Sequence, residues 1–266
     1  MINIEERARL IEPILRRAMN QVIELRSSDD FEIITKEDGS PVTNADFWAN
    51  NFLLEELGKL FPGELMIGEE NDRKEIPTGT KLIWFFDPID GTKNYISMHN
   101  PFHILLGISI EGEPVMGICA YPLTGDIIVG GDQYPAEIWH RDGSIIPLIR
   151  ASNYSSKSMM ITLKGFSEVG RNHVYNHPMF EKAKPVLGHP SIMGPAFGFS
   201  EAYIDHRDIH WWDLCGPAAI MRSLGYEVGR YLDNNSQMNN GDLFTDRFFC
   251  FPPGTPKELK KFVLQK

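Results

Sequence analysis

Three short acidic stretches carry residue types and spacings capable of chemistry. In FFDPIDGTKNYI, residues 85 to 96, Asp87 and Asp90 stand three apart, after an apolar run and ahead of Gly91 and Thr92. GEE, residues 68 to 70, follows a second apolar run, and WWD, residues 211 to 213, sets Asp213 between two tryptophans and the apolar LCGPAAI. A carboxylate that ends a buried strand loses its hydration, so Asp87 needs a cation. The turn through Pro88 and Ile89 allows both aspartates and an intervening carbonyl to converge on one point. Oxygen ligands without histidine or cysteine favour magnesium over zinc. Gly91 and Thr92 stand at a helix start, where free N–H groups and the helix dipole attract phosphate. Each stretch taken singly also has a plainer account: Asp87 and Asp90 closing a turn and capping a helix, Glu69 and Glu70 as a solvated acidic turn, Asp213 as an N-cap. Taken together, they put acid at strand ends and helix mouths, where ligands of α/β proteins collect.

The elements that must hold these groups can be read from periodicity. Ile4, Ala8, Ile11, Leu15, Ala18, Val22 and Leu25 repeat at the spacing of one helical face, with a kink or restart allowed at Pro13. SPVTNAD offers Thr43 or Asn44 as the cap of a second helix, ADFWANNFLLEELGKL, which FPG stops. Leu65 to Ile67 reads as a short strand, LIWFFD as a buried one, and FHILLGISI with PVMGICAY as a hairpin around EGE. Further on, DIIVG, AEIWH and SIIPLI suggest more strands, with RDGS as a turn, and a second sheet with helices between Ser191 and Leu224 completes a layered α/β architecture.

At 266 residues the chain can bury a full core as one large domain or two intimate ones. With 26 basic against 36 acidic residues its formal charge is -10, which argues against nucleic-acid polymers and anionic membranes as partners. A small anionic substrate can still find a local cationic site. No window approaches the roughly 20 apolar residues of a membrane span, and MINIEERARL is too charged for a secretory signal, so a cytoplasmic location is expected. Cys119, Cys215 and Cys250 are scattered and read as reduced packing residues.

GEE, then DPIDGT, then WD, in that order, resembles the signature of the inositol monophosphatase family, and the likeness runs from the paired N-terminal helices to FFCFPP near the end. The resemblance implies a layered α/β/α/β/α sandwich of the inositol monophosphatase / fructose-1,6-bisphosphatase type. It would be a single phosphatase domain over 1–266, with an N-terminal α+β half to about 135 and a C-terminal α/β half from about 136. It implies a homodimer that hydrolyses a small phosphate monoester with two to three Mg2+ ions and is inhibited by Li+. By motif, Glu69, Asp87 and the Ile89 carbonyl would hold the first ion, and Asp87, Asp90 and Asp213 the second. One ion would activate a water while its partner stabilises the leaving oxygen. Thr92 and Asp46 would orient that water, Asp90, Gly91 and Thr92 would cradle the phosphate, and Glu69 would assist through a third, looser ion. Lys36 is similar to a basic residue near the mouth of related sites, and it also suits an exposed loop lysine.

The sequence departs from the family pattern in two places. GHPSIMGPAFGFSEAY, residues 188 to 203, is shorter than the usual segment before WD, and Gly194, Pro195 and Gly198 disfavour a full helix there. WWDLCGPAA also replaces usual small residues with Leu214, Cys215 and Pro217. Lys93 makes DGTKNY more similar to phosphonucleotide and histidinol-phosphate phosphatases, and Asp205, His206, Arg207 and Asp208 fall where relatives contact the leaving alcohol. Inositol monophosphate, or a similar polyol or amino-alcohol phosphate, is the expected substrate, with 3'-phosphoadenosine 5'-phosphate and histidinol phosphate as alternatives. DPIDGT also resembles the DxDGT signature of haloacid-dehalogenase-like phosphatases, but Pro88 stands where their nucleophilic aspartate would be. A metal-dependent regulatory binding protein is the non-enzymatic alternative; it would need a lost ligand, and all the expected ligands are present.

Overall fold

The apolar face read at the N-terminus folds as α1, Ile4–Arg26, which Asn3 caps by accepting from the Glu6 N–H. Ile4, Ala8, Ile11, Leu15, Ala18 and Val22 are all buried, and Pro13 lies inside the helix without dividing it. A small hairpin, β1 Ile33–Thr35 and β2 Pro41–Thr43, leads into α2, Asn44–Leu60. The computed structural model describes residues 2–71, 75–77, 79–97, 101–151, 154, 158–183, 185–186, 188–230 and 243–264.

Seven strands form the larger sheet: β3 Leu65–Gly68, β4 Leu82–Asp90, β5 His103–Ile110, β6 Glu113–Tyr121, β7 Asp126–Gly131, β8 Tyr134–Trp139 and β9 Ile145–Pro147. They lie side by side in chain order. Only β3 and β4 run parallel; the rest form an antiparallel meander. The dividing line placed near residue 135 thus falls inside β8, and the change of sheet comes between Pro147 and Met159. The reason is local: short hairpin turns keep adding strands to the same sheet without a change of composition.

The second sheet has the order β11-β10-β12-β14-β13, from β10 Met159–Lys164, β11 Phe180–Lys182, β12 Ala202–His210, β13 Glu227–Arg230 and β14 Phe244–Phe251. Between the sheets lies α5, Trp211–Ser223, in a core that includes Phe85, Leu105, Cys119, Leu214, Ile220 and Phe248. α1 and α2 cover the outer face of the larger sheet through Leu15, Leu53, Trp84 and Ile118. α4, Glu168–Tyr175, and α6, Lys257–Leu264, cover the smaller one through Val174, Phe180 and Val263. Counting layers gives α/β/α/β/α, as expected. Residues 191–197 form a seven-residue 3-10 turn where the sequence disfavoured a helix. All three cysteines are buried and free. Among the described residues no helix is long and apolar enough to cross a membrane.

Candidate active site

β4 runs straight through Phe86 and then bulges: its pairing with β5 shifts register between Asp87 and Asp90. The bulge bends the strand end so that two carboxylates three residues apart face the same space. Asp87 turns its Oδ1 back to accept from the Ile89 N–H at 2.8 Å, which fixes the Pro88 turn. Gly91 follows at φ +88°, a left-handed geometry that side-chain-bearing residues adopt at a cost, and it lets α3, Thr92–Ser97, start at once. Asp213 arrives from far along the chain, in the first turn of α5. One ligand atom each from Asp87, Asp90 and Asp213 lie within 4.8 Å of one another. Burial, then the charges of Glu69, Asp213 and Asp90, push the Asp87 carboxyl well above the usual carboxylate range. Burial and the charges of Asp90 and Glu69 raise Asp213 likewise. Among the described residues no lysine or arginine forms an ion pair with Asp87 or Asp213. Three clustered carboxylates, of which Asp87 is buried, are the donor set that suits a hard divalent ion.

Asp46 and Thr92 meet beside this cluster. Thr43 donates its N–H (2.7 Å) and hydroxyl (2.5 Å) to Asp46 Oδ2, capping α2. The other oxygen, Oδ1, accepts from the Thr92 hydroxyl at 3.3 Å, and the same hydroxyl lies 3.3 Å from the Ile89 carbonyl oxygen. Asp46 is 1% exposed, and burial raises its pKa against the opposing Thr43 bonds. The cap of one helix is therefore also the anchor for the first residue of another.

Glu69 follows β3, held against β4 by its N–H donating to the Phe86 carbonyl at 3.1 Å. Its carboxylate does not join the three aspartates directly; it accepts from Lys36 Nζ at 2.9 Å, and Glu70 accepts from the same ammonium at 2.6 Å. Lys36 is thus drawn to the site mouth. Its pKa is raised because the two glutamates outweigh the effect of burial. Glu70 is raised by burial, which its bond to Lys36 only partly offsets.

On the far side a cavity of about 170 Å³ is lined by Asp90, Leu105, Pro190, Ser191, Ile192, Tyr203, Asp205, Arg207, Ile209, Asp213 and Leu214. Asp205 is fully buried and accepts from Tyr203 Oη (2.7 Å), from Arg207 Nε (2.9 Å) and Nη2 (2.7 Å), and from the Arg207 N–H (3.0 Å). Burial alone would raise this carboxyl, but the Arg207 and Tyr203 bonds bring it below its ordinary range. The Arg207 side chain stays 59% exposed. His206 stands outside the cavity lining, its ring 3.5 Å from that of Phe166, and burial lowers its pKa to about 4. Asp208 lies beyond a register shift in β12 and is exposed, as is Lys93 on α3. Of the six groups drawn to substrate from sequence, counting Lys36, the cavity lining contains Asp205 and Arg207.

Comparison with known proteins settles the kinship. The description "Inositol monophosphatase family" matches residues 4–262. The chain belongs to the inositol monophosphatase family. It is similar to the histidinol-phosphatase of Chlorobaculum parvum, 31% identical over 203 residues that span 73% of this chain and 74% of that protein. It is also similar to the 3'(2'),5'-bisphosphate nucleotidase CysQ of Buchnera aphidicola, 24% identical over 84% of this chain and 83% of that one. Its fold matches a crystal structure of an IMPase/NADP phosphatase complexed with Mg2+ and phosphate, with a TM-score of 0.78, 18% identity, and coverage of 97% and 95% of the two chains. As a phosphatase of this family the protein is a phosphoric monoester hydrolase.

One functional neighbourhood escaped the reading of the sequence. His103, the first residue of β5, is paired in register with Asp90 and is 4% exposed. Its Nδ1 donates to Asp90 Oδ2 at 3.2 Å, since an ionised carboxylate only accepts, and its Nε2 lies 3.3 Å from the Gly188 carbonyl oxygen. Its ring meets Tyr121 edge-on, and the Tyr121 hydroxyl lies 3.0 Å from His189 Nδ1. The available signal was a lone polar residue opening the otherwise apolar FHILLG, the strand that pairs with the one ending in Asp90.

Proposed function

We propose that this protein catalyses magnesium-dependent hydrolysis of a small phosphate monoester by direct attack of water. The observation that carries the reading is the convergence of Asp87, Asp90 and Asp213 next to the bonded pair Thr92–Asp46, at the rim of a polar cavity. Glu69, Asp87 and the Ile89 carbonyl would hold one ion, Asp87, Asp90 and Asp213 a second, and Glu69 a third more loosely. Bound there, magnesium supplies charge that lowers the pKa of water and stabilises the leaving oxygen. Thr92 Oγ1, its proton directed to Asp46 Oδ1, turns a lone pair toward the cluster and aims the attacking water. Asp46, its pKa raised by burial, receives the proton through that hydroxyl. Asp90 and the Gly91 and Thr92 N–H groups position the phosphate.

Inositol monophosphate, or a related polyol or amino-alcohol phosphate, remains the first substrate reading. A specific observation favours a second: Asp205 is already satisfied by Tyr203 and Arg207, whereas the Arg207 guanidinium is exposed at the cavity. That arrangement favours a substrate with a second anionic group, as in a 3'-phosphonucleotide, and Lys93 would stand near it. His206 and Asp208 contribute only if substrate extends past the cavity rim. A phosphate-release screen of inositol 1-phosphate, histidinol phosphate and 3'-phosphoadenosine 5'-phosphate, repeated on Arg207→Ala, separates these readings; release that persists in excess chelator sinks the metal-dependent proposal. Lithium inhibition belongs to the same proposal, because a small monovalent ion enters the second oxygen cage without supplying its charge. Activity unchanged across a lithium titration at limiting magnesium counts against it. The homodimer is carried over as part of this reading and is checked by light scattering.

A further inference from the structure

The geometry points to His103 as a positioning residue that holds Asp90 for its metal ion and ties that ligand to the segment forming the far wall of the cavity. The inference rests on the magnesium-dependent reading above. Asp90 stands just past the β4 bulge, where pairing with β5 resumes at His103, and its side chain is 29% exposed. A carboxylate so placed has several rotamers open to it. His103 restricts that freedom by donating from Nδ1 to Oδ2 of a carboxylate that also has an oxygen within 4.8 Å of Asp87 and Asp213. The ring itself is held by burial and by its edge-on contact with Tyr121, and its Nε2 lies 3.3 Å from the Gly188 carbonyl oxygen. Gly188 is followed by His189, which stacks on Phe197 at 3.5 Å and faces the Tyr121 hydroxyl, and by Pro190, Ser191 and Ile192 of the cavity wall. One imidazole therefore touches the proposed metal ligand on one side and, at Gly188, the segment that leads into the cavity wall on the other. Partners of metal-ligating carboxylates typically change metal affinity about 10–100-fold when removed.

The test measures Mg2+ affinity by calorimetry on the full chain, with no turnover required, alongside KM and kcat for a phosphate ester that the wild type hydrolyses. His103→Phe keeps an aromatic ring but no donor, and His103→Asn keeps a donor near the Nδ1 position. The expected result is a Mg2+ dissociation constant raised about tenfold or more in His103→Phe and restored to within about threefold of wild type in His103→Asn. Tyr121→Phe, which removes only the hydroxyl at His189, is expected to raise KM for the ester and leave Mg2+ affinity unchanged. If His103→Phe does not fold by circular dichroism, His103→Ala takes its place. Wild-type Mg2+ affinity in the donor-less variant, or equal losses in the Phe and Asn variants, overturns the assignment. Failure of the underlying reading shows separately, as wild-type protein that binds Mg2+ yet releases no phosphate from any ester, or as Asp87→Asn with undiminished release.

Discussion

Asp87 serves two opposing requirements at one carbon chain's length. In the proposed site it would bridge two ions, and burial beside Asp90 and Asp213 makes its charge costly in their absence. Replacing Asp213 with Asn should lower turnover on the order of 10³-fold, because it removes a charged ligand from a site whose electrostatics carry the reaction. The same change should raise the melting temperature of chelator-treated protein, because it relieves repulsion in the cluster; a fall in both quantities would mean that Asp213 is structural. The pH dependence follows. Asp87 and Asp213 have folded pKa values above the unfolded ones, so between the ordinary carboxylate range and about 8 for Asp213 the folded chain binds more protons than the unfolded chain. Metal-free stability should therefore fall as pH rises through that window, and saturating magnesium should flatten the trend, as thermal melts at several pH values would show. Thr92→Ala tests a different role: kcat should drop roughly 10²-fold or more with Mg2+ affinity nearly intact, and Thr92→Ser should recover most of it. Asp87, Asp90 and Thr92 were legible because DPIDGT packs them into six consecutive residues, whereas Asp213 came from WWD and Asp46 from the family resemblance. His103 was not, because it joins Asp90 only through a strand register that the bulge itself sets.

Among the elements, α5 matters most, since it carries Asp213 into a cluster otherwise built by β4. The helix can approach the central strands only where side chains are missing: a Cβ on Gly216 would collide with the Leu106 carbonyl oxygen, and one on Gly117 with the Gly216 carbonyl. Gly216 thus retains the small-residue role that Leu214, Cys215 and Pro217 had put in doubt, and those three pack as buried residues of the same helix. Gly216→Ala should cost about 1–3 kcal/mol or more by overpacking. It should also move the start of α5 outward and weaken Mg2+ binding, whereas Ala219→Gly, farther along the helix, should lose stability without that loss of affinity. Urea denaturation and calorimetry on the two variants decide between a helix that merely packs and one whose depth sets the site. α1, α2, α5 and β3 to β9 were readable from apolar spacing and the layer order by resemblance, whereas α4, α6 and β10 to β13 were not read. Sheet membership was not: β8 and β9 have the same alternating apolar character as strands of the second sheet, and only hairpin connectivity assigns them to the first. The substrate wall was also hidden, because the register shift between Asp205 and Asp208 decides which side chains of YIDHRD face the cavity.

For the molecule as a whole, the three-aspartate cluster draws on several structural layers. β4 belongs to the larger sheet, α5 to the layer between sheets, and α2, which holds Asp46 and so Thr92, to the outer helical layer. An ion that bridges Asp87, Asp90 and Asp213 therefore ties layers together that otherwise meet through apolar packing. Because such an ion binds the folded chain and has no assembled site in the unfolded one, it stabilises by mass action, by about 2.7 kcal/mol at 100 times its dissociation constant. For a chain somewhat above 150–250 residues that corresponds to a rise in Tm of roughly 5–10 °C. Magnesium added to chelator-treated protein should produce such a rise, growing with the logarithm of concentration once past the dissociation constant. The formal charge of -10 adds a nonspecific attraction for divalent ions, and this part should vanish in about 0.15 M monovalent salt, where charges more than about 8 Å apart are largely screened. The site-specific part should survive that salt in the wild type and be lost in Asp87→Asn. A shift equally large in Asp87→Asn at high salt would show that the ions act on the surface, and that the cluster does not join the layers.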